Sequence, residues 1–223
     1  MATRSQFCKL ACLAFFIELA LAGCQGDALP FKSPSGDSAD TVSVDVPKSL
    51  APGKLAMYAH GETIRVGDSA EDALKIFPRP KTAFEFTDLP PKFQKPYQVK
   101  GWESSREGFG VILFQQKIAV ALWHQDKATQ DDLDRLVKLH QDQSPGRAVT
   151  VPGKHVNYWF WENAGQRLMI CSLQGHGPSV LLTVAMGDNV VMDALKINPV
   201  QAHRDRDEVD KSANAKPTLT PTK

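Results

Sequence analysis

The apolar residues divide the chain into an apolar leader, a polar stretch, a long patterned body and a polar tail. Residues 25–53 and 201–223 are rich in Ser, Asp, Pro, Ala and Thr and show little apolar periodicity. Segments that cannot bury enough apolar surface stay disordered. The pattern therefore predicts a flexible tether over residues 24–53, one globular domain over residues 54–200 and a disordered tail over residues 201–223.

Short alternating or continuous apolar runs in the body predict β-strands, and runs spaced by three and four residues predict helices. The first group of predicted strands covers residues 99–103, 109–115 and 118–124, and the second covers 156–162, 166–173 and 179–185. A short hairpin, 54–58 with 63–66, precedes them. Residues 79–97 carry four prolines and are predicted to form a long loop.

Three helices are predicted between the groups of strands. They start at capping residues near Asp68, Thr129 and Asp188, and the second one places Leu133, Leu136 and Val137 on one face. Neighbouring strands joined by tight turns pair antiparallel. The sequence predicts an α+β fold, with antiparallel sheet or sheets from two β-meanders and two to three short helices packed on one face. Whether the meanders form one sheet or two stays open at this point.

One stretch of the body resembles another. Residues 67–78 begin Gly-Asp-Ser and end Lys-Ile-Phe-Pro, and residues 187–199 begin Gly-Asp-Asn and end Lys-Ile-Asn-Pro. A duplicated unit would explain this similarity. Shared chemistry at the start of a helix also explains it.

The leader has the layout of a secretory signal peptide. Arg4 and Lys9 precede an apolar run at residues 10–22, which is too short to span a bilayer. The run ends in Leu-Ala-Gly-Cys at residues 21–24, which resembles the lipobox of bacterial lipoproteins. The resemblance implies that residues 1–23 are a signal peptide, cut off before Cys24.

In that family the cysteine sulfur carries a diacylglyceryl group and the new amine is usually acylated, with palmitate as a typical chain. Several acyl chains on one residue exceed what stable anchoring needs. The resemblance therefore implies a lipid-anchored protein of the cell envelope. In a Gram-negative cell, Gln25 after the cysteine implies the periplasmic face of the outer membrane.

The first half of the body resembles the small lipoproteins of the outer-membrane β-barrel assembly machinery and their SmpA/OmlA relatives. The similarity lies in a strand and glycine at residues 64–67, a capped helix ending before Pro78, and a meander from Trp102 to Trp123. It implies protein–protein scaffolding at the outer membrane, without catalysis. Residues 79–97 and the second meander have no counterpart in that pattern.

The net charge and the cysteine content limit the partners and the chemistry that the sequence predicts. The net charge of +1 provides no basic surface field, so a nucleic-acid partner is not predicted. Cys8 and Cys12 would leave with the signal peptide and Cys24 would carry lipid, so Cys171 alone would remain. In an exported protein a lone cysteine is either a reactive thiol or a small buried hydrophobe. The apolar neighbours at residues 168–170 favour burial.

The residues that often carry chemistry show no catalytic spacing. The six histidines form no H-E-x-x-H or H-x-H pair, and there is no C-x-x-C, so the sequence predicts no metal site and no cofactor. It also lacks the G-x-S-x-G and S-x-x-K signatures of serine nucleophiles. No catalytic residue is predicted.

The aromatic run at residues 158–161 is the most specific candidate for binding. Alternation along a strand places Trp159 and Trp161 on one face and Tyr158 and Phe160 on the other. Trp159 and Trp161 would form a stacking surface for a glycan or an envelope protein if that face is wet, and part of the core if it is covered. Because aromatic side chains bury large apolar areas, the interpretation of Trp159 and Trp161 as core is favoured.

Two hypotheses follow. The first is a membrane-anchored lipoprotein that acts as a non-catalytic binding or scaffolding module in the cell envelope. The alternative is an envelope hydrolase or thiol enzyme of unfamiliar type that uses Cys171 or a histidine. The state of the Cys171 thiol separates them, because a catalytic cysteine needs an accessible thiol with a lowered pKa.

Overall fold

The computed structural model describes residues 54–88, 93, 95–174 and 178–214. The predicted signal peptide and tether, and tail residues 215–223, lie outside the described residues. The strands are β1 (Met57–Ala59), β2 (Glu62–Ile64), β3 (Phe84–Phe86), β4 (Tyr97–Glu103), β5 (Glu107–Phe114), β6 (Lys117–Ala128), β7 (Val149–Val151), β8 (Val156–Asn163), β9 (Gln166–Gln174) and β10 (Val180–Asp188). The helices are α1 (Ala70–Ile76), α2 (Gln130–Gln143), α3 (Asn189–Ala194) and α4 (Pro199–Asn214).

Both meanders belong to one sheet. Eight antiparallel strands lie in the order β3-β4-β5-β6-β10-β9-β8-β7, and β1 and β2 form a separate hairpin. The α+β class predicted from the sequence is confirmed. The open choice between one sheet and two is decided by β6 and β10, the last strand of each meander, which pair antiparallel from Val180 with Ala128 to Gly187 with Val120.

We call the sheet face that carries Val111, Trp123 and Trp161 the front face. It packs against α1, α2 and the β1–β2 hairpin, and both Met57 of β1 and Leu55 just before it are fully buried. Phe77, at the end of α1, stacks on Phe109 of β5 with ring centroids 4.2 Å apart. The indole nitrogen of Trp102 donates a hydrogen bond to the carbonyl oxygen of Phe77 (2.9 Å), so the end of α1 is held to the sheet by packing and by a polar contact.

We call the opposite face, which carries Ile112, Val120 and Phe160, the back face. It packs against Val191 and Met192 of α3 and against Ala202 and Val209 of α4. The prediction that the helices pack on one face is therefore wrong, since α1 and α2 lie on the front and α3 and α4 on the back. The physical reason is that the central strands are apolar on both sides, so both faces of the sheet need a cover.

The predicted helix starts are largely confirmed. Thr129 caps α2, and the reciprocal bonds between Thr129 and Asp132 form a capping box. Asp188 caps α3 through the amide of Val190 (2.9 Å). In α1 the capping residue is Ser69, whose hydroxyl accepts a hydrogen bond from the amide of Asp72 (3.1 Å).

Part of the predicted Pro-rich loop is a strand. β3 pairs with β4 at the edge of the sheet, with Phe86 opposite Gly101. A Cβ atom at position 101 would lie 2.3 Å from the Phe86 ring. Gly101 therefore leaves the space in which the Phe86 ring packs, and this contact fixes the edge strand on the sheet.

The predicted disordered tail is wrong for residues 201–214, which belong to α4. Ala202, Asp205 and Val209 recur at helical spacing and are all buried, at 3%, 9% and 8% exposure. The middle member of this stripe is a carboxylate, so the apolar pattern is interrupted and the segment looks solvated in the sequence. The amide of Lys154 donates a hydrogen bond to the Asp210 carboxylate (3.2 Å), which ties the helix to the β7–β8 turn.

A substitution in α4 tests whether this segment is folded. Val209→Asp should lower the free energy of unfolding by about 2 kcal/mol, because it loses the burial of the valine and places a carboxylate in an apolar contact. Val200→Asp is the matched control on the same helix, since Val200 is 64% exposed. Urea unfolding of the full chain measures both. Equal, negligible effects would mean that the segment does not pack on the sheet.

Candidate functional site

The aromatic surface predicted from the sequence is mostly interior. Trp159 and Trp161 do share the front face, as the alternation predicts, but Trp161 is only 1% exposed and Trp159 is half-buried against the core. Trp161 therefore contributes no binding surface. The interpretation of this pair as core holds for Trp161.

The cover over Trp161 comes from α2. His140, at the end of α2, is fully buried with its ring centroid 6.0 Å from that of Trp161. Its Nδ1 donates to the carbonyl of Leu136 (2.8 Å) and its Nε2 accepts from the amide of Tyr58 (3.2 Å). Burial lowers the pKa of His140, so the ring is a neutral structural link between α2, β1 and β8.

The back face, in contrast, has an opening between the sheet and the helices. We call it the slot, lined on the sheet side by Tyr158, Met169, Leu173 and Thr183 and on the helix side by Lys196 and Asp205. The space in it that water-sized groups can reach is about 30 Å³, and the empty space including the open solvent at its mouth is about 550 Å³. Sites for small ligands have this concave and mostly apolar character.

Three rows of paired residues form the floor of the slot. The first row is apolar and runs across the sheet through Leu122, Ala185, Met169 and Phe160. The middle row consists of His124, Thr183, Cys171 and Tyr158 in register on adjacent strands, and the last three of these line the slot. The third row is again apolar and contains Leu181 and Leu173. The polar groups of the floor are therefore flanked by apolar side chains on both sides.

The wall of the slot on the helix side is positioned by Arg167. This guanidinium, only 6% exposed, donates to Glu162 (2.6 Å), to Asp193 (2.7 Å) and to the carbonyl of Ile197 (2.9 Å). The three bonds connect β8, β9, α3 and the α3–α4 connection. Because a buried guanidinium needs all its partners, they fix the connection that carries Lys196 over the sheet.

The thiol in the slot floor is held in its neutral form. Burial raises the pKa of Cys171 to about 12. Burial also raises the pKa of its neighbour Tyr158, whose hydroxyl lies within hydrogen-bonding reach of the thiol. A thiol becomes a nucleophile only as the thiolate. Cys171 is therefore a small apolar part of the floor at neutral pH, as its apolar neighbours in the sequence predict.

Asp205 is the acidic group of the slot. It is 9% exposed, and its Oδ1 accepts a hydrogen bond from the Gln201 side chain (2.7 Å). Burial raises the pKa of this carboxyl, and Glu208 on the same helix adds to the shift. Its proton is consequently bound more tightly in the folded protein than in the unfolded chain.

Among the described residues, the histidines that could act as acid–base groups do not line the slot, although His124 pairs across the sheet with the slot residue Thr183. His60, in the β1–β2 turn, contacts Glu107 (3.3 Å), and the buried His124 contacts Glu103 (3.2 Å). His176 lies outside the described residues. Within the described part of the chain, no three His, Cys, Asp or Glu side chains converge on a position that would hold a metal ion.

Comparison with known proteins adds no relative. No family model, no curated protein and no solved structure matches this chain. None of the helices in the described ranges is both long and apolar enough to cross a membrane. The slot geometry and the sequence are therefore the basis on which function is inferred.

The slot itself was not predicted from the sequence. The alternation in β8, β9 and β10 correctly gives each strand two faces, and it places Tyr158 and Phe160 opposite the tryptophans. The helix that closes the slot, however, lies in the segment predicted to be a disordered tail. The helical spacing of Ala202 and Val209 is the signal present in the sequence, and Asp205 between them interrupts it.

The reactivity of Cys171 gives the first test of the site. In a chain with Cys8, Cys12 and Cys24 all replaced by serine, Cys171 is the single thiol. Because its pKa is raised to about 12, alkylation by iodoacetamide at pH 8 should be at least about tenfold slower in the folded protein than in urea. Equal rates in the two states would contradict the buried, protonated thiol.

The pH dependence of stability gives a second test. Folding raises the pKa of the Asp205 carboxyl above 3.8, the ordinary value for an aspartate. Asp205 therefore contributes its full stabilisation below pH 3.8, and this contribution is lost as the pH rises through the pKa of the folded state. Asp205→Asn removes this loss, so the variant should gain stability relative to the natural chain as pH rises from 3.8 to neutral, measured by urea unfolding.

The exposed Asp207 supplies the control for this pH series. The hydrogen bond from Arg206 lowers the pKa of Asp207, so Asp207→Asn should show a weak trend of the opposite sign. Parallel pH profiles for Asp205→Asn and the natural chain would show that Asp205 titrates as an ordinary carboxylate.

Proposed function

We propose that this protein is a membrane-anchored lipoprotein, acylated on Cys24, that acts as a non-catalytic binding or scaffolding module in the cell envelope. In a Gram-negative cell its place would be the periplasmic face of the outer membrane. The anchoring part rests on the order of charged, apolar and lipobox residues in the leader. An anchor of this kind raises the concentration of the folded body near envelope partners.

The observation that carries the binding part of the proposal is the slot on the back face. It is a concave site with apolar rows on both sides of a few hydrogen-bonding groups. Most of the sheet surface around it is sealed by helices, so the slot is a place where a ligand could bury apolar surface without unfolding the body. Half-buried Trp159 remains a minor candidate contact for an envelope protein or a glycan.

The enzymatic alternative receives little support from the same residues. A thiol enzyme needs a thiolate and an adjacent base. The raised pKa of Cys171 keeps that thiol protonated, and Tyr158, which lies within hydrogen-bonding reach of it, has a raised pKa as well. The two Glu–His contacts, His60 with Glu107 and His124 with Glu103, involve residues that do not line the slot.

Metabolic labelling tests the anchor directly. Cells that express the full chain are fed an alkyne analogue of palmitate, and the protein is then purified and its label and membrane fraction are measured. The natural chain should carry label and sediment with membranes, and Cys24→Ser should lose both. Cys12→Ser is the matched control, because that cysteine lies in the same leader and should leave labelling unchanged.

Two results would overturn the anchor. One is full labelling of Cys24→Ser, which would place the lipid on another residue. The other is a natural chain without label that remains in the soluble fraction, which would mean that residues 21–24 do not act as a lipobox.

A further inference from the structure

The shape of the slot restricts what it can hold. Met169, Cys171 and Leu173 are alternate residues of β9 and mark its length, so the floor extends on the order of 13 Å along the strand. The space of about 30 Å³ that water-sized groups can reach has room for roughly two or three of them, and the slot is open beyond it. The deep part of the slot therefore takes a few methylene-sized groups rather than a bulky ring system, and its open part leaves room for a slender chain to continue along β9.

The chemistry of the floor favours an apolar chain. Met169, Phe160 and Leu122 line one side and Leu173 and Leu181 the other. Between them, Tyr158 and Cys171 lie within hydrogen-bonding reach of each other, so their polar atoms place no demand on a ligand. Asp205 is already bonded to Gln201 (2.7 Å). The Thr183 hydroxyl is a further polar group of the floor, so a ligand without hydrogen-bonding groups along its length covers few polar groups on entry.

The lining of the slot includes a lysine in an unusual backbone position. Lys196 directly follows the C-cap of α3 and has a φ of +62°. The amide of Ile197 bonds to the carbonyl of Met192 (2.8 Å), which is the pattern of a helix end where glycine is preferred. A lysine in this position accepts backbone strain, and Lys196 is an exposed residue that lines the slot.

We propose that the slot binds the alkyl chain of a fatty-acyl group, with the carbonyl or carboxylate end at Lys196 and the chain directed over Met169 towards Leu173 and Leu181. This inference rests on the proposed function, since an anchored envelope protein lies beside acyl chains. Three sources share this chemistry: a free fatty acid, a membrane phospholipid, and the protein's own lipid on Cys24. A 30-residue tether spans on the order of 100 Å when extended, so the last source is within reach.

Photocrosslinking of the full chain tests the proposal. The probe is a palmitate analogue with a diazirine near its terminal carbon, and crosslinked peptides are located by mass spectrometry. We expect crosslinks on β9 and β10, around Leu173 and Leu181, which excess palmitate abolishes. In a competition series of saturated acids, apparent affinity should rise about fourfold for each methylene buried and level off once the slot is full.

Substitutions at the slot give matched comparisons. Ala202→Trp on α4 fills the slot and should reduce crosslinking at least about tenfold, which corresponds to about 1.4 kcal/mol. Val200→Trp, on the exposed side of the same helix, should leave it unchanged. Lys196→Gly relieves the strained backbone, so it keeps the fold, and it should weaken binding of the acid about twofold to fivefold and of its methyl ester less.

Two further labelling experiments distinguish the three possible sources of the acyl chain. If the protein's own lipid fills the slot, added palmitate probe should label Cys24→Ser more strongly than the natural chain. If a phospholipid fills it, vesicles of phosphatidylethanolamine with a diazirine in one acyl chain should label the same β9 and β10 peptides. A free fatty acid as the source predicts labelling by the palmitate probe in both chains and none from the vesicles.

The proposal is overturned if crosslinks fall outside β9 and β10 in both the natural chain and Cys24→Ser. It is also overturned if Ala202→Trp and Val200→Trp label equally while circular dichroism shows both folded. Neither result depends on the anchor, because slot labelling of Cys24→Ser needs no lipid on that residue. Loss of the anchor with retained slot labelling would refute the proposed localisation alone.

Discussion

The pairing of β6 with β10 is the interaction on which the rest of the structure depends. Each is the last strand of its meander, and their antiparallel register from Val180 to Gly187 turns two four-stranded units into one sheet. At the end of this pairing a Cβ atom at Gly187 would lie 2.5 Å from the Val120 side chain. The close approach of the two strands there requires a residue without a side chain.

Because both paired strands are central, each is buried on both faces, and the two faces need separate covers. The front face is sealed by α1, α2 and the β1–β2 hairpin, and the buried, neutral His140 links these elements to Trp161. The back face is covered by α3 and α4 with a gap between them and the floor. The two faces of the sheet therefore differ: one is sealed core, and the other has the slot.

Much of the architecture could be predicted from the sequence because the relevant signals are local. Tight turns and alternating residues gave both meanders, and the Thr129–Asp132 capping box gave the start of α2. The similarity between residues 67–78 and 187–199 corresponds to α1 and α3, which lie on opposite faces of the sheet. Helices in such different positions favour shared helix-start chemistry as its explanation.

The missed features depend on contacts between distant residues. α4 was missed because Asp205 interrupts its apolar stripe, and only the packing of Ala202 and Val209 on the sheet makes the segment a covering element. The slot required that helix, and so it could not be predicted either. Whether Trp161 is exposed or buried likewise depends on α2. The apolar residues of α2 predict a helix with one buried face, but they do not show which face of the sheet it covers.

Hydrogen exchange of the β6 and β10 amides tests the central claim most directly. If these strands pair in the middle of one sheet, peptides covering residues 120–125 and 182–187 should exchange only through global unfolding, as slowly as the central strands β5 and β9. If the meanders were two separate sheets, β6 and β10 would be edge strands and would exchange at least about tenfold faster than β5 and β9. That outcome would contradict the single sheet and, with it, the two covered faces and the slot.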